Sequence, residues 1–266
     1  MPELPEVETV KRGLASIVTD RRVEMAGSHP SIKFSPATTV VGARFNGVNR
    51  RGKYLLFPLD DGRQLVAHLG MTGQFRPVSE PSSSAHVRAW WRLDDGTILE
   101  FRDVRRFGRI AVVQGDDYSS LPTLHALGPE PFDPDFDGLY LWKALRSSSA
   151  AIKTQLLSQK VVAGVGNIYA DEALWRAHLH PDARRITKAK AEALRIAIIN
   201  VLKEGIENGG TTLRDYRSVD GSEGSNQHSL DCYGQAGSPC PRCSTVMVRS
   251  VIGARATTHC PSCQKR

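Results

Sequence analysis

The chain has 266 residues, of which 40% are hydrophobic and 24% charged, enough for two domains that each bury a core. A net charge of +7 points to a polyanionic partner, and the chain lacks both a run of the ~20 apolar residues that span a bilayer and an apolar leader, which argues against membrane and secreted classes. Four of the five cysteines fall in two close pairs, the arithmetic of a metal site in a reducing, cytoplasmic setting rather than of disulfides.

The first ten residues are Met1-Pro2-Glu3-Leu4-Pro5-Glu6-Val7-Glu8-Thr9-Val10. Removal of Met1 leaves Pro2 with a free secondary amine, and an α-amino group titrating near ~8 is partly neutral and nucleophilic at neutral pH. Glu3 is the adjacent candidate for moving protons. Pro5 suits the first turn of a helix, and Val7, Val10, Leu14 and Ile17 recur at helical spacing. Glu6 and Glu8 precede Lys11 and Arg12, the order that suits the helix dipole.

From about Arg22 to Gln114 the pattern is β. Short strands are predicted at 42–48, 54–59, 64–69, 90–93, 97–101 and 109–113, with tight turns at Asp60-Asp61-Gly62 and Asp94-Asp95-Gly96. This spacing predicts a sandwich or barrel with the first helix packed on it, and Pro77 to Ala85 reads as an exposed loop. The proline-rich acidic stretch 127–137 is the best linker. Beyond it the period becomes helical, at 139–146, 151–159, 167–177 and 188–207, the last with Leu194, Ile198, Val201 and Leu202 facing inward and Gly209-Gly210 ending it. Residues 218–229 lack periodicity and read as a mobile loop.

Cys240-x2-Cys243 and Cys260-x2-Cys263, sixteen residues apart, have zinc-ribbon spacing. Four thiolates leave no open coordination position, so one structural Zn2+ is expected, folding a hairpin tipped by Gly253-Ala254-Arg255. His228 and His259 are possible further ligands, and Cys232 reads as a buried thiol. The expected fold class is therefore α+β: a leading helix with an N-terminal β-sandwich (1–130), a helical domain (131–229) and a C-terminal zinc-ribbon hairpin (230–266).

Gly164-Val165-Gly166-Asn167 leads into a helix, an arrangement able to cradle phosphate with backbone N–H groups. Arg50-Arg51-Gly52-Lys53 is a basic turn. Met71 and Phe107 would ordinarily be core residues, yet each stands in a glycine-flanked turn from which an apolar side chain projects.

Five blocks in order resemble the formamidopyrimidine-DNA glycosylases, which excise oxidised purines from DNA. They are the N-terminal decapeptide, the Lys53 turn, His68-Leu69-Gly70-Met71-Thr72-Gly73 with Asp103-Val104-Arg105-Arg106-Phe107-Gly108, the 160–172 segment, and the cysteine pairs. The resemblance implies a helix-two-turn-helix for the middle domain and double-stranded DNA, damaged or abasic, as the partner of a monomer, held in a cleft between domains. It implies Pro2 as Schiff-base nucleophile, Glu3 as general acid/base, Lys53 assisting β-elimination, and Arg255 assisting δ-elimination while gripping phosphate. It also implies that Lys153 and Asn167 hold phosphates and that His68 and His86 contact DNA. Met71, Arg105 and Phe107 would fill the gap left by a flipped nucleotide, with Arg105 bonding the orphaned base.

Three departures stand out. Ser158 replaces a common aspartate, and Arg146-Ser-Ser-Ser-Ala-Ala replaces a basic run, which bears on one phosphate contact. Gly224-Ser225-Asn226 replaces the Gly-Tyr-Phe of the lesion-capping segment, which bears on lesion preference. Two other readings are open at this stage. An endonuclease VIII-type enzyme for oxidised pyrimidines would typically begin Pro-Glu-Gly-Pro, whereas Leu4 stands here. A zinc-stapled DNA-binding protein without catalysis would not need Pro2, Glu3, Lys53 and Arg255 intact.

Overall fold

A computed structural model describes residues 1–265. The chain forms two compact units: residues 1–125 with 208–227, and 126–207 with the chain from His228 onward. No helix among the described residues is long and apolar enough to cross a membrane.

The first unit opens with helix α1 (Leu4–Val18). It continues through β1 (Arg21–Ser28), β2 (Arg44–Phe45), β3 (Asn49–Arg51), β4 (Tyr54–Pro58), β5 (Arg63–His68), β6 (Gly73–Val78), β7 (Val87–Leu93), β8 (Ile98–Asp103), β9 (Arg109–Gln114) and the short helix α2 (Pro122–His125). Two antiparallel sheets result, with strand orders β2-β1-β7-β8-β6 and β3-β4-β5-β9. Alternate residues of each sheet turn to one face. Phe75, Ala89, Trp91 and Phe101 from the first sheet and Leu55, Phe57, Leu65 and Ala67 from the second share one core, which Val7, Val10, Leu14 and Val18 of α1 also enter. The Phe57 and Phe75 rings meet across the sheets at 5.8 Å. This is the expected sandwich with its leading helix.

β1, β3 and β6 were not individually expected, each for a local reason. β1 is rich in Arg and Glu and its pairing with β7 shifts register between Val23 and Met25, so no clean alternation shows. β3 is three residues of Asn and Arg. β6 contains Pro77, which breaks a strand pattern but is tolerated here because β6 is the edge of its sheet. The expected strand 42–48 shortens to Arg44–Phe45.

The second unit contains α3 (Gly138–Arg146), α4 (Ile152–Leu157), α5 (Asn167–Arg176), α6 (Lys188–Glu207) and the hairpin β10 (Val248–Ile252) with β11 (Arg255–His259). Asp137 caps α3, accepting from Tyr140 N–H at 2.6 Å. Leu194, Ile198, Val201 and Leu202 of α6 are all buried. The helices and the cysteine-bearing hairpin thus lie in one unit: the buried Glu172 carboxylate accepts from the N–H groups of Asp231, Cys232 and Tyr233 at 3.1, 2.8 and 2.7 Å. Cys232 is buried, as expected.

Candidate nucleic-acid interface and active site

Pro2 and Glu3 precede α1 directly, and both are buried, whereas Met1 is 53% exposed. Glu3 is the helix N-cap in a reciprocal capping box with Glu6, and its N–H donates to Glu6 Oε2 at 2.7 Å. Glu6 is itself buried, and its other oxygen accepts from Thr211 N–H at 2.7 Å. This bond brings residues 208–227, sequential neighbours of α6, into the first unit. Gly210 sits so close to Glu6 that a Cβ there would stand 2.9 Å from Glu6 Cγ, and its φ of +87° also requires glycine. The spacing Glu3-x-x-Glu6 was the readable signal for Glu6; nothing in the sequence marked Thr211.

Lys53 follows Gly52 in the two-residue turn joining β3 to β4, where Arg51 faces Tyr54. Gly52 takes φ +56°, a conformation that suits glycine in a tight hairpin turn. Lys53 is only 6% exposed. Its strand is tied to α1 by Glu8, which accepts from Arg50 at 3.0 Å and from Lys11 and Arg12 at 3.1 Å. Burial alone would raise the Glu8 pKa, but these three cations hold it below the usual carboxylate value.

His68 ends β5 beside Tyr54, ring centroids 4.7 Å apart. Burial first, and then the charges of Lys53 and Arg109, push its pKa down to about 4. His68 is therefore neutral at pH 7. Its Nδ1 accepts from Gly70 N–H at 3.1 Å, which leaves the ring proton on Nε2 as a neutral donor.

The two glycine-flanked loops lie side by side. A Cβ on Gly70 would stand 2.5 Å from Gly108 N and from Phe107 C. Buried Asp103 pins both: it accepts from Thr72 Oγ1 at 2.5 Å and from Gly108 N–H at 2.7 Å, and Arg105 N–H donates to Thr72 Oγ1 at 3.1 Å. Phe107 is 52% exposed, with the Arg105 guanidinium 4.8 Å from its ring centroid. Arg106 between them has φ +56°, a conformation costing an L-residue about 1–2 kcal/mol, and Lys33 Nζ bonds its carbonyl at 3.1 Å. Met71 is half-buried on the neighbouring loop, and exposed His86 is joined to Asp103, whose N–H donates to the His86 carbonyl at 2.9 Å. Met71, His86, Arg105 and Phe107 therefore share one end of the sandwich. Gly70→Ala is expected to combine a clash with a strained φ, costing about 2–4 kcal/mol and separating the loops. Thermal unfolding and DNA binding would both register it.

In the second unit Lys153 lies in the first turn of α4. The side chain is fully buried, with Nζ 2.6 Å from Asp171 Oδ1, 2.8 Å from Thr257 Oγ1 and 3.1 Å from the Ala256 carbonyl. These contacts tie α4 to β11. Burial pushes Asp171 up to about 6 even against the attraction of Lys153, and its other oxygen accepts from Thr258 N–H at 3.0 Å. Lys153→Ala would leave a buried carboxylate without its counter-ion, an expected loss of about 3–5 kcal/mol. The paired Lys153→Met, Asp171→Leu variant should recover much of it in denaturant unfolding.

Asn167, half-exposed at the start of α5, also donates to the Ala256 carbonyl, at 3.0 Å. The Gly164-Val165-Gly166 loop before it is buried and closed by Gln159, whose Oε1 accepts from Gly164 N–H at 2.9 Å. Ser158 turns its hydroxyl back to the Gln155 carbonyl at 2.6 Å and closes α4. Both Lys153 and Asn167 thus grip the residue after Arg255. Arg255 is exposed and starts β11, directly after a turn in which Gly253 and Ala254 have φ of +56° and +59°.

The four zinc-spaced cysteines converge. Their sulfur atoms all lie within 4.8 Å of one another, with separations of 3.4 Å (Cys243–Cys263), 3.5 Å (Cys243–Cys260) and 4.0 Å (Cys240–Cys263). Sulfurs ~2.3 Å from a tetrahedral zinc stand about 3.8 Å apart, whereas a disulfide needs ~2.05 Å. The set fits one structural zinc, and neither His228 nor His259 belongs to it. Gln264 braces the knuckle, accepting from Cys260 N–H and donating to the Leu179 carbonyl, both at 2.8 Å.

Comparison with known proteins bears on the same parts. Residues 1–110 match the formamidopyrimidine-DNA glycosylase N-terminal domain, 127–217 its H2TH domain, and 237–266 a zinc finger found in FPG and IleRS. The chain belongs to the formamidopyrimidine-DNA glycosylase family. It is 44% identical to the Thermomicrobium roseum formamidopyrimidine-DNA glycosylase, with 99% of each chain covered. The crystal structure of the MutM (Fpg) protein of Thermus thermophilus superposes with a TM-score of 0.91 at 44% identity, covering 99% of this chain and 98% of that one. The Lactococcus lactis Fpg in complex with DNA containing an abasic site matches at a TM-score of 0.90 and 34% identity, over 99% of this chain and all of that one.

Proposed function

We propose that this chain is a bifunctional DNA glycosylase and abasic-site lyase of base-excision repair, removing oxidised purines such as 8-oxoguanine and formamidopyrimidines from duplex DNA. The observation that carries the reading is the N-terminus: a proline at position 2, buried beside an acid locked into the helix cap, in a chain of this family along its whole length. Removal of exposed Met1 turns the Pro2 nitrogen into a secondary amine. That amine attacks C1′, the C1′–base bond breaks, and the base leaves with a proton. The sugar ring opens and the nitrogen carries an iminium. Its positive charge acidifies C2′, so loss of a C2′ proton expels the 3′ phosphate, and a second elimination expels the 5′ phosphate. Glu3 moves protons in the first stage. Lys53 serves β-elimination, and Arg255 serves δ-elimination and binds phosphate.

His68 contributes a neutral N–H to the backbone, His86 and Asn167 add polar contacts, and Met71, Arg105 and Phe107 occupy the space of the extruded nucleotide. We assign the chain three functional parts, 1–130, 131–229 and 230–266. We place the enzyme in the cytoplasm, on the nucleoid when bound to DNA, acting as a monomer. Borohydride trapping on duplexes carrying 8-oxoguanine, a formamidopyrimidine, an oxidised pyrimidine or an abasic site tests the reading. Adducts are expected on the purine lesions and the abasic site. Absence of any adduct would sink the enzyme assignment, and a clear preference for the pyrimidine would move it to the sister activity.

A further inference from the structure

Asn226 carries a polar side chain into the interior, and the structure shows what it does there. The side chain is buried, with its Nδ2 donating to Thr211 Oγ1 at 2.9 Å and its Oδ1 accepting from Asn208 Nδ2 at 3.1 Å. Asn226 N–H bonds the Gly210 carbonyl at 3.2 Å, and Gln227 Oε1 accepts from Thr212 N–H at 3.0 Å. The two backbones touch, since a Cβ on Gly224 would stand 2.1 Å from the Gly210 carbonyl oxygen. From Thr211 the bonding continues inward. Its N–H donates to one Glu6 oxygen, and the other Glu6 oxygen accepts from Glu3 N–H, both at 2.7 Å and both buried. Three hydrogen bonds, passing through Thr211 and Glu6, therefore link residue 226 to residue 3, each of ordinary length.

We propose that Thr211 and Asn226 are positioning residues for Pro2 and Glu3, acting through Glu6. One carboxylate holds the catalytic dipeptide on one side and the 208–227 segment on the other, so a shift of that segment moves the bond that orients Glu3. The inference rests on the proposed role of Pro2 and Glu3. It assigns to this segment a function in covalent chemistry, whether or not a damaged base is present.

Trapping on a preformed abasic site isolates that function, because no base has to be recognised. The full-length zinc-loaded protein is compared with Thr211→Val, which removes the hydroxyl at nearly constant volume, with Thr211→Ser, which keeps it, and with Asn226→Leu. At saturating DNA, Thr211→Val and Asn226→Leu are expected to trap about ten- to a hundredfold more slowly, with Thr211→Ser within about twofold of the parent. The affinity for a duplex with a reduced, uncleavable abasic analogue should be unchanged, and the double variant should be no slower than the slower single one. Abasic trapping at the parent rate in Thr211→Val and Asn226→Leu, even with slowed base excision, would overturn the proposal and leave the segment a cover for the lesion. A parent enzyme that traps no abasic DNA would instead overturn the assignment of Pro2.

Discussion

Blocking the N-terminus is expected to abolish covalent trapping altogether. A form that retains Met1 has an amide at Pro2 with no lone pair available for C1′, so the borohydride adduct should fall to background on every substrate. Mass spectrometry of the intact protein separates this form from the processed one. Pro2→Gly, processed to a free primary amine, should retain some trapping. Glu3→Gln keeps a hydrogen-bonding side chain at the helix cap but cannot exchange protons as a carboxylate does. Base release should slow by about 10²–10⁴-fold in this variant, while the fold persists. Full trapping by a Met1-retaining enzyme would show that another amine is the nucleophile, with Lys53 the first candidate because it is buried.

Loss of zinc has the second large effect. Structural zinc contributes ~10–16 kcal/mol of apparent binding energy in isolated fingers, and here the hairpin has little apolar core besides Trp175, Met247 and the cysteines. Chelation, or Cys260→Ala, should melt β10 and β11. Cys260 directly follows the strand that begins with Arg255, and Lys153, Asn167 and Asp171 grip that strand at residues 256–258. Removing the metal therefore frees Arg255 and also deprives the buried Lys153–Asp171 pair of its three partners on β11, the Ala256 carbonyl, the Thr257 hydroxyl and the Thr258 N–H. DNA affinity should drop by at least about tenfold, with the salt dependence flattening as phosphate contacts are lost. Unchanged affinity after verified metal loss would refute this role for the hairpin.

Much of the architecture was legible because periodicity and punctuation are local. α1 and α6 follow their apolar spacing to within a residue or so, and Gly209-Gly210 does end α6. The cysteine spacing anticipated the cluster of four sulfurs. Strands β1, β3 and β6 were not legible, because their residues are extended through pairing with partners distant in the chain rather than by preference. The loop expected at 218–229 ends in a 3-10 turn, Asn226–Ser229, and is tied down at 224–227 by bonds that skip about fifteen residues. Lys153 is the sharpest case. The resemblance implies a phosphate-binding cation at this position, and the fold surrounds it with acceptors from residues 171, 256 and 257, none of them a sequence neighbour.

The sequence by itself determined the family, the candidate nucleophile, the metal ligands and the glycine-flanked tips, since each is written in adjacent residues or in fixed short spacings. Only the tertiary structure decided which polar side chains act on solvent and which act on the protein. Burial makes that division, because an ionised or amide group removed from water must find its partners within the fold. Glu6, Asp103, Lys153, Asp171, Thr211 and Asn226 found theirs, and through them the chain holds Glu3, the Arg105–Phe107 tip and Arg255 in place.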